Sequence, residues 1–156
     1  MTMREILFRG KRADNGKWTT GTPFFVKGRC KMIHAVAVHP DFLDEGNVYY
    51  SEGYPVIDDT IGQYTGLTDK NGTKIFEGDI VRFSLITGRS LVPQGLRQVT
   101  FSAGSFMIED PYSGDDETIS RIAASVELEV VGNVHDNPDM IADYIQSVRQ
   151  ELMEDK

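Results

Sequence analysis

The sequence predicts a mainly β protein of the α+β class, in which antiparallel hairpins form a small barrel-like core and an amphipathic helix ends the chain. Three observations predict this class: short segments in which apolar and polar residues alternate, Asn-Gly pairs between such segments, and a helical apolar period near the C-terminus. A length of 156 residues suits one domain with one core. Within a single domain at 1–156 we expect an N-terminal hairpin at about 4–26, a β core at about 56–136 and the helix at about 138–153.

The N-terminal hairpin is predicted from alternation followed by a turn signal. Ile6 and Phe8 are apolar positions in a strand-like segment, and Trp18 opens the next one. Between them, Asn15-Gly16 suits a type I′ turn, because both residue types tolerate positive φ angles. The sequence therefore predicts a strand, a tight turn and a second strand.

The Asn-Gly turn signal recurs further along the chain. Asn71-Gly72 separates two short strand-like segments, and Gly78-Asp79 leads into another alternating strand. Alternation or a continuous apolar run also predicts strands at 32–38, 97–101, 104–108 and 126–130. The first of these is continuous enough to be buried on both faces. Segments 87–95 and 111–117 hold Gly, Pro and Asp residues and are expected to be loops.

A helix is predicted to begin directly after Asn137. Asparagine is a favoured N-cap residue, Pro138 suits the first helical position, and Asp139 complements the helix dipole. The apolar positions on one side of this helix are Met140, Ile141, Tyr144, Ile145, Val148 and Leu152. This stripe must be buried, either on the chain's own sheet or against a second subunit.

Three segments carry a family resemblance: 3–9 (MREILFR), 61–83 (IGQYTGLTDKNGTKIFEGDIVRF) and 131–138 (VGNVHDNP). Together they resemble the YopX proteins, small products of phages and prophages in low-GC Gram-positive bacteria. The resemblance implies a fold and a phage origin, and it implies no catalytic residue, because the family has no established activity. Residues 8–11 depart from the family, which often has an Ala-Trp pair there. Trp18, across the predicted turn, is placed to supply the missing bulk.

The glycines and aromatic residues of these segments have a structural explanation as turn and core positions. The functional alternative is a recognition surface for a protein partner. It would consist of Gln63, Tyr64, Thr65 and Asp79, because tyrosine beside polar residues suits a protein contact. The sequence leaves both interpretations open.

The chain contains no motif for catalysis or for a cofactor. Gly66 and Gly72 enclose five residues and Thr73 precedes Lys74, so this segment does not match a phosphate-binding loop. Neither a dinucleotide-binding Gly-x-Gly-x-x-Gly nor a nucleophile-elbow Gly-x-Ser-x-Gly occurs. The adjacent acids at 58–59 project apart, unlike the spaced carboxylates of a glycosidase. We therefore expect a protein that is not an enzyme and uses no cofactor.

A metal or acid–base site would be expected to use the histidines. His34 and His39 are separated by an odd number of positions, so on one continuous strand they point to opposite faces. A loop site formed by His39, Asp41 and Asp44, which His135 joins from elsewhere in the fold, is one hypothesis. The other is that the histidines are simply hydrogen-bonded or exposed, which we expect together with the absence of a metal.

The net charge of −8 disfavours a general nucleic-acid binder, because binding to phosphates rewards clustered Lys and Arg. Basic residues nevertheless concentrate near the N-terminus, in contrast to an acidic second half. Nucleic-acid binding would depend on Arg4, Arg9, Arg12 and Lys17, and a related alternative is an acidic mimic of nucleic acid. The contrast in charge would equally suit head-to-tail self-association.

The leading functional hypothesis is a non-enzymatic phage accessory protein that binds a protein partner. The partner is most simply a second copy in a homo-oligomer, with a host or phage protein as the alternative. Cys30 is the only cysteine, and no apolar run approaches the ~20 residues that a membrane span needs. We expect no membrane contact and a location in the cytoplasm of the bacterial host. An enzyme of unknown chemistry is the least favoured class.

Overall fold

The computed structural model describes residues 3–38 and 49–155. The chain divides into two compact units, Met1–Tyr64 and Thr65–Lys156, and the division falls within one strand. Each unit has its own cluster of buried apolar side chains. The expectation of a single domain at 1–156 stays a prediction.

The first unit is an antiparallel sheet. Its elements are β1 (Phe8–Lys11), β2 (Trp18–Val26), β3 (Arg29–Val38), β4 (Tyr49–Pro55), a 3-10 turn (Asp58–Thr60) and the start of β5 (Gly62–Thr68). The order of the strands is β4-β3-β2-β1-β5. The buried core consists of Cys30, Ile33 and Val56, with Phe8 and Ile61 packed against them.

Strand β3 buries one face rather than two. Ile33 is fully buried, whereas its neighbours Met32 and His34 are only half-buried. The prediction of a strand here is confirmed, and the expectation of burial on both faces is wrong for this part of it. β3 is a central strand, because β2 and β4 pair with its two edges. The continuous apolar run goes with this central position and does not mean that both faces of the strand are covered.

The first hairpin is present, but its turn is not of type I′. The Gly16 amide donates to the Arg12 carbonyl (2.9 Å), and the Arg12 amide donates to the Lys17 carbonyl (2.9 Å). Gly16 has a positive φ of 68°, whereas Asn15 does not. Instead, the Oδ1 of Asn15 accepts the Lys17 amide (2.9 Å). A side-chain hydrogen bond and one glycine therefore replace the two positive-φ residues of a type I′ turn.

The second unit contains a five-stranded antiparallel sheet in the order β10-β9-β8-β7-β11, and β6 pairs with β5. Its elements after β5 are β6 (Lys74–Phe76), β7 (Asp79–Thr87), β8 (Ser90–Ser102), β9 (Ser105–Glu109), β10 (Asp116–Thr118), α1 (Ile119–Ile122), β11 (Val126–Asn133) and α2 (Pro138–Glu154). The mainly β class with a C-terminal helix is confirmed. The sheets are open at their edges, so the core is not a closed barrel. In the two described ranges, no helix combines the length and apolar character that crossing a bilayer requires.

The core of the second unit lies on one face of its sheet. Val81 pairs with Val130 and Phe83 pairs with Leu128, so these four side chains point to the same side. They belong to one apolar cluster, which Ile119 of α1 joins. The predicted strand at 126–130 is confirmed, and its alternation between apolar and acidic residues separates the core side from the outer side.

Asp69 fixes the second hairpin to β11. Its Oδ1 accepts the amides of Asn71 (2.8 Å) and Thr73 (2.9 Å), and its Oδ2 accepts the amide of Val130 (2.9 Å). Gly72 has a positive φ of 81° and donates its amide to the Asp69 carbonyl (3.0 Å), whereas Asn71 has a negative φ. Burial on its own raises the pKa of Asp69, but the three amides outweigh burial and hold the pKa below its ordinary value.

The prediction of a loop at 87–95 is wrong, because this segment is mostly the paired end of a hairpin. β7 and β8 remain in register from Thr87 opposite Ser90 to Ser84 opposite Pro93. β9 pairs with β8 only from Gln98 onward, so Pro93, which has no N–H, lies where β8 is an edge strand. The following residues form a bulge. In the other predicted loop, at 111–117, the last two residues belong to β10.

Candidate protein-interaction site

Helix α2 is joined to β11 by a hydrogen-bonded turn at 133–137. The Oδ1 of Asn133 accepts the amides of His135 (3.0 Å) and Asp136 (2.9 Å), and its Nδ2 donates to Asp136 Oδ2 (2.9 Å). The Val134 amide donates to the Gly78 carbonyl (2.9 Å). This part of the 131–138 motif therefore fixes the direction in which α2 leaves the sheet.

Asn137 and Pro138 begin α2 at the predicted position, but the side chain of Asn137 has a different role. Asn137 occupies the N-cap position without a side-chain hydrogen bond to the helix. Its Oδ1 accepts the amide of Asn133 (3.2 Å) instead. The cap residue thus closes the turn that precedes the helix, and its carbonyl accepts the Met140 amide (3.1 Å).

Two glycines allow α2 to lie close to the sheet. A Cβ atom on Gly132 would lie 2.6 Å from Oδ1 of the N-cap residue Asn137 and 3.2 Å from Cε of Met140, and one on Gly95 would overlap the ring of Tyr144. Gly132 pairs with Ile80, whose side chain points away from the core cluster of the second unit. Helix α2 therefore approaches the face of the sheet opposite that core.

The apolar stripe of α2 is only partly covered by the described chain. None of the 17 helical residues is buried. The half-buried positions of the stripe are Met140, Ile141, Tyr144, Ile145 and Val148. Leu152 is 50% exposed, and the adjacent Met153 is 77% exposed. Packing on the chain's own sheet accounts for part of this stripe and leaves the rest available for a contact.

A second apolar surface lies at the end of the β7–β8 hairpin. Leu85, Ile86, Leu91 and Val92, which we call the hairpin tip, are all exposed by more than a third. Leu85 is paired with Val92 and Ile86 with Leu91. Because adjacent residues of a strand point to opposite sides, both sides of the hairpin tip are apolar.

The predicted recognition residues are not all at the surface. Tyr64 is 7% exposed and Asp79 is 1% exposed, whereas Gln63 is half-buried. The Oδ2 of Asp79 accepts a backbone amide three residues earlier (2.7 Å), which closes the bend before β7. Thr65 donates its hydroxyl to a carbonyl of β6 (2.9 Å). Burial supports the structural explanation for Tyr64 and Asp79, and a role of the set in partner binding stays a prediction.

The structure describes only one residue of the hypothetical histidine site, His135. His39, Asp41 and Asp44 lie outside the described residues. His135 is half-buried in the turn before α2. Within 3–38 and 49–155, no group of three or more His, Cys, Asp or Glu side chains is arranged to hold a metal ion.

Two of the four residues of the nucleic-acid alternative have partners within the first unit. The guanidinium carbon of Arg9 lies 4.7 Å from the centre of the Trp18 ring. Arg12 donates two hydrogen bonds to the carboxylate of Asp14 (2.9 and 2.6 Å). The two exposed members are Arg4 and Lys17. The carboxylate of Asp14 offsets the positive charge of Arg12 that would otherwise face phosphates, whereas the uncharged Trp18 ring leaves the charge of Arg9 in place.

The net charge of the chain comes from its second unit. Residues 65–156 contain 16 acidic and 8 basic residues, whereas 1–64 contain 8 of each. On the outer side of β11, Lys70 lies 3.5 Å from Glu127 and 3.3 Å from Glu129, which Arg82 also contacts. Desolvation acts to raise the pKa of Glu129, but the two cations hold that pKa below its ordinary value.

Cys30 is a buried thiol in the core of the first unit. Its Sγ donates to the carbonyl of Met32 (3.4 Å). Burial raises the pKa of the thiol and disfavours the reactive thiolate. A structural role fits this environment.

Comparison with known proteins shows a family and a related fold. A family model described as YopX protein matches residues 7–142. Among solved structures, the chain is similar to the crystal structure of protein EF1440 from Enterococcus faecalis, with a TM-score of 0.56 and 22% sequence identity. This similarity covers 89% of the present chain and 99% of the other. It supports a shared fold, and no curated protein matches the chain.

Proposed function

The chain belongs to the YopX family, and from this premise we propose that it is a non-enzymatic phage accessory protein that assembles into a homo-oligomer through α2. The proposed setting is the cytoplasm of a bacterial host. One observation carries the proposal: a 17-residue amphipathic helix in which no residue is buried. Such a helix gains stability when its apolar stripe is covered.

The energetics favour a contact that covers most of the stripe. Full burial of one Ile, Leu or Val side chain contributes about 1.5–3 kcal/mol relative to full exposure. Association costs about 4–15 kcal/mol in lost translational and rotational freedom. A contact between α2 helices therefore needs several of these side chains at once.

The spacing of the stripe supports a second copy as the partner. Ile141, Ile145, Val148 and Leu152 are separated by four, three and four positions. This is the a/d spacing of a coiled-coil seam, in which two helices interlock. Two copies related by a twofold axis present the same seam to each other, which is the commonest symmetry of soluble oligomers.

The double substitution Ile141→Asp and Ile145→Asp tests this proposal. We expect it to convert the oligomer into a folded monomer, because it places two charges in the middle of an apolar contact. The measurement is the molar mass by light scattering after size exclusion, together with circular dichroism to verify folding. An unchanged molar mass in the folded variant would exclude α2 as the contact.

The matched control is Ala142→Asp with Gln146→Asp. These residues have the same four-residue spacing in the same helix, and both are exposed. The control adds the same charge and loses at least as much helix propensity, because alanine and glutamine are better helix formers than isoleucine. It is expected to keep the oligomeric mass of the wild type. Dissociation of both variants would show that charge, and not the stripe, controls assembly.

A further inference from the structure

A second surface, independent of α2, lies on the core side of the five-stranded sheet. A cavity of about 250 Å³ is located beside β10. Its apolar lining, or floor, consists of Phe83, Ile108 and Ile122, together with Leu85 of the hairpin tip. Its rim carries one basic and three acidic side chains, namely Arg97, Asp110, Asp115 and Glu117.

The strand register explains why charged groups surround an apolar floor. Glu117 is paired with Ile108, and Ile108 is paired with Val99, so these three side chains point to the same face. Arg97 lies two positions before Val99 on β8 and shares that face. Asp116 precedes Glu117 in β10 and therefore points to the other face.

The guanidinium group of Arg97 contacts other groups of the second unit. Its Nη2 lies 3.2 Å from Oδ2 of Asp110, and its Nη1 donates to the carbonyls of Gln94 (2.9 Å) and Leu96 (2.8 Å). The guanidinium carbon also lies 5.1 Å from the centre of the Phe83 ring. The charge of Arg97 is thus balanced by Asp110 and does not neutralise the rest of the rim.

Asp115 and Glu117 therefore give the cavity an excess of negative charge. Among the contacts of the described residues, none brings a cation to either carboxylate. Both residues are exposed, so their charges are solvated while the cavity is empty. A ligand that covers them must supply a positive group, because an uncompensated carboxylate is costly to bury.

We infer that this cavity binds a lysine or arginine side chain of a partner protein. The methylene groups of that side chain would lie on the apolar floor, and its charged head would lie between Asp115 and Glu117, as long basic side chains do at other half-apolar surfaces. An anion would be repelled. The volume lies below the range of about 300–1,000 Å³ for small-molecule sites, which fits one side chain better than a nucleotide.

The test is a titration of the ¹⁵N-labelled full chain, followed by NMR, with a blocked tripeptide that has lysine at its centre. The matched probe carries norleucine, which has a similar length and no charge. We expect saturable shifts of the amides of Ile108 and Glu117, with an affinity at least about tenfold higher for the lysine peptide. Equal affinities, or no saturable shift with the lysine peptide, would overturn the inference.

Variants and a free amine complete the test. Asp115→Asn with Glu117→Gln should remove the preference for lysine, and Glu117→Gln alone should reduce it severalfold. Asp116→Asn should leave it unchanged, because this side chain points to the other face. A preference for lysine that survives in the folded double variant would place the cation elsewhere and overturn the inference.

Spermidine that bound more than about tenfold tighter than the peptide would also overturn the inference, because the ligand would then be a free polyamine.

Discussion

At the residue scale, Asp69 and Asp79 each organise one turn of the second unit. Asp69 and Asp79 both accept backbone amides of their own turns. Asp69 also reaches Val130, 61 positions away. The local sequence predicts turns at these places because of the neighbouring glycines. It does not predict the amide of Val130 as a partner, because that contact depends on the packing of the hairpin against β11.

Replacement of Asp69 by asparagine should destabilise the protein by about 1–3 kcal/mol. Asparagine has one acceptor oxygen and would turn an NH₂ group towards an amide that now donates to a carboxylate. The free energy of unfolding in urea measures this effect. The exposed Asp116→Asn is the control, for which we expect a change within about 0.5 kcal/mol. Equal stability of the Asp69 variant and the wild type would contradict the anchoring role.

The contribution of Asp69 should also depend on pH. Its amide donors hold the folded-state pKa below the ordinary value of 3.8. The stabilisation is therefore complete above the unfolded-state pKa and is lost as the pH falls through the lowered folded-state pKa. The stability difference between the wild type and Asp69→Asn should be constant from about pH 7 to 5 and should shrink in more acidic solution. A stability difference that increased as the pH fell would contradict the lowered pKa of Asp69.

At the element scale, the position of α2 depends on glycine at the bulge of β8. Gly95 and Gly88 both have positive φ angles, 89° and 64°, but a Cβ on Gly88 would meet open space. Gly88→Ala should therefore show backbone strain alone, on the order of 1 kcal/mol. Gly95→Ala should cost about 1–3 kcal/mol more, because Tyr144 must move. Thermal unfolding compares the two variants.

A further substitution separates strain from the contact with the helix. In a Tyr144→Ala background, the cost of Gly95→Ala should fall to that of Gly88→Ala, since the obstructing ring is gone. An unchanged excess cost in that background would show that Tyr144 does not hold α2 at the bulge.

The elements differ in how well the sequence predicts them, for physical reasons. Helix α2 and strand β11 have regular apolar periods, and both are found where predicted. The start of β8 is not predicted, because proline and glycine usually end a strand, whereas here they lie on an unpaired edge and in a bulge. The residues of the α2 stripe are likewise predicted. The sequence does not predict that these residues are incompletely buried, because burial depends on how closely the helix approaches the sheet.

At the scale of the whole molecule, the two proposed interaction surfaces both belong to the second unit. The α2 stripe and the acidic cavity lie on opposite faces of the same sheet, so occupation of one does not cover the other. A twofold contact through α2 would form a closed dimer and leave a cavity on each copy accessible. The acidic excess of 65–156 would then be doubled in the assembly and would favour basic partners.

The molar mass of the wild-type protein shows whether the chain self-assembles. Light scattering after size exclusion, at several concentrations and moderate salt, distinguishes the 17.5 kDa monomer from an assembly. Self-assembly through an apolar stripe predicts a mass of about 35 kDa or a higher multiple that persists as salt is raised, because burial of apolar surface is not screened by ions. A mass of 17.5 kDa across the concentration range would contradict assembly through α2.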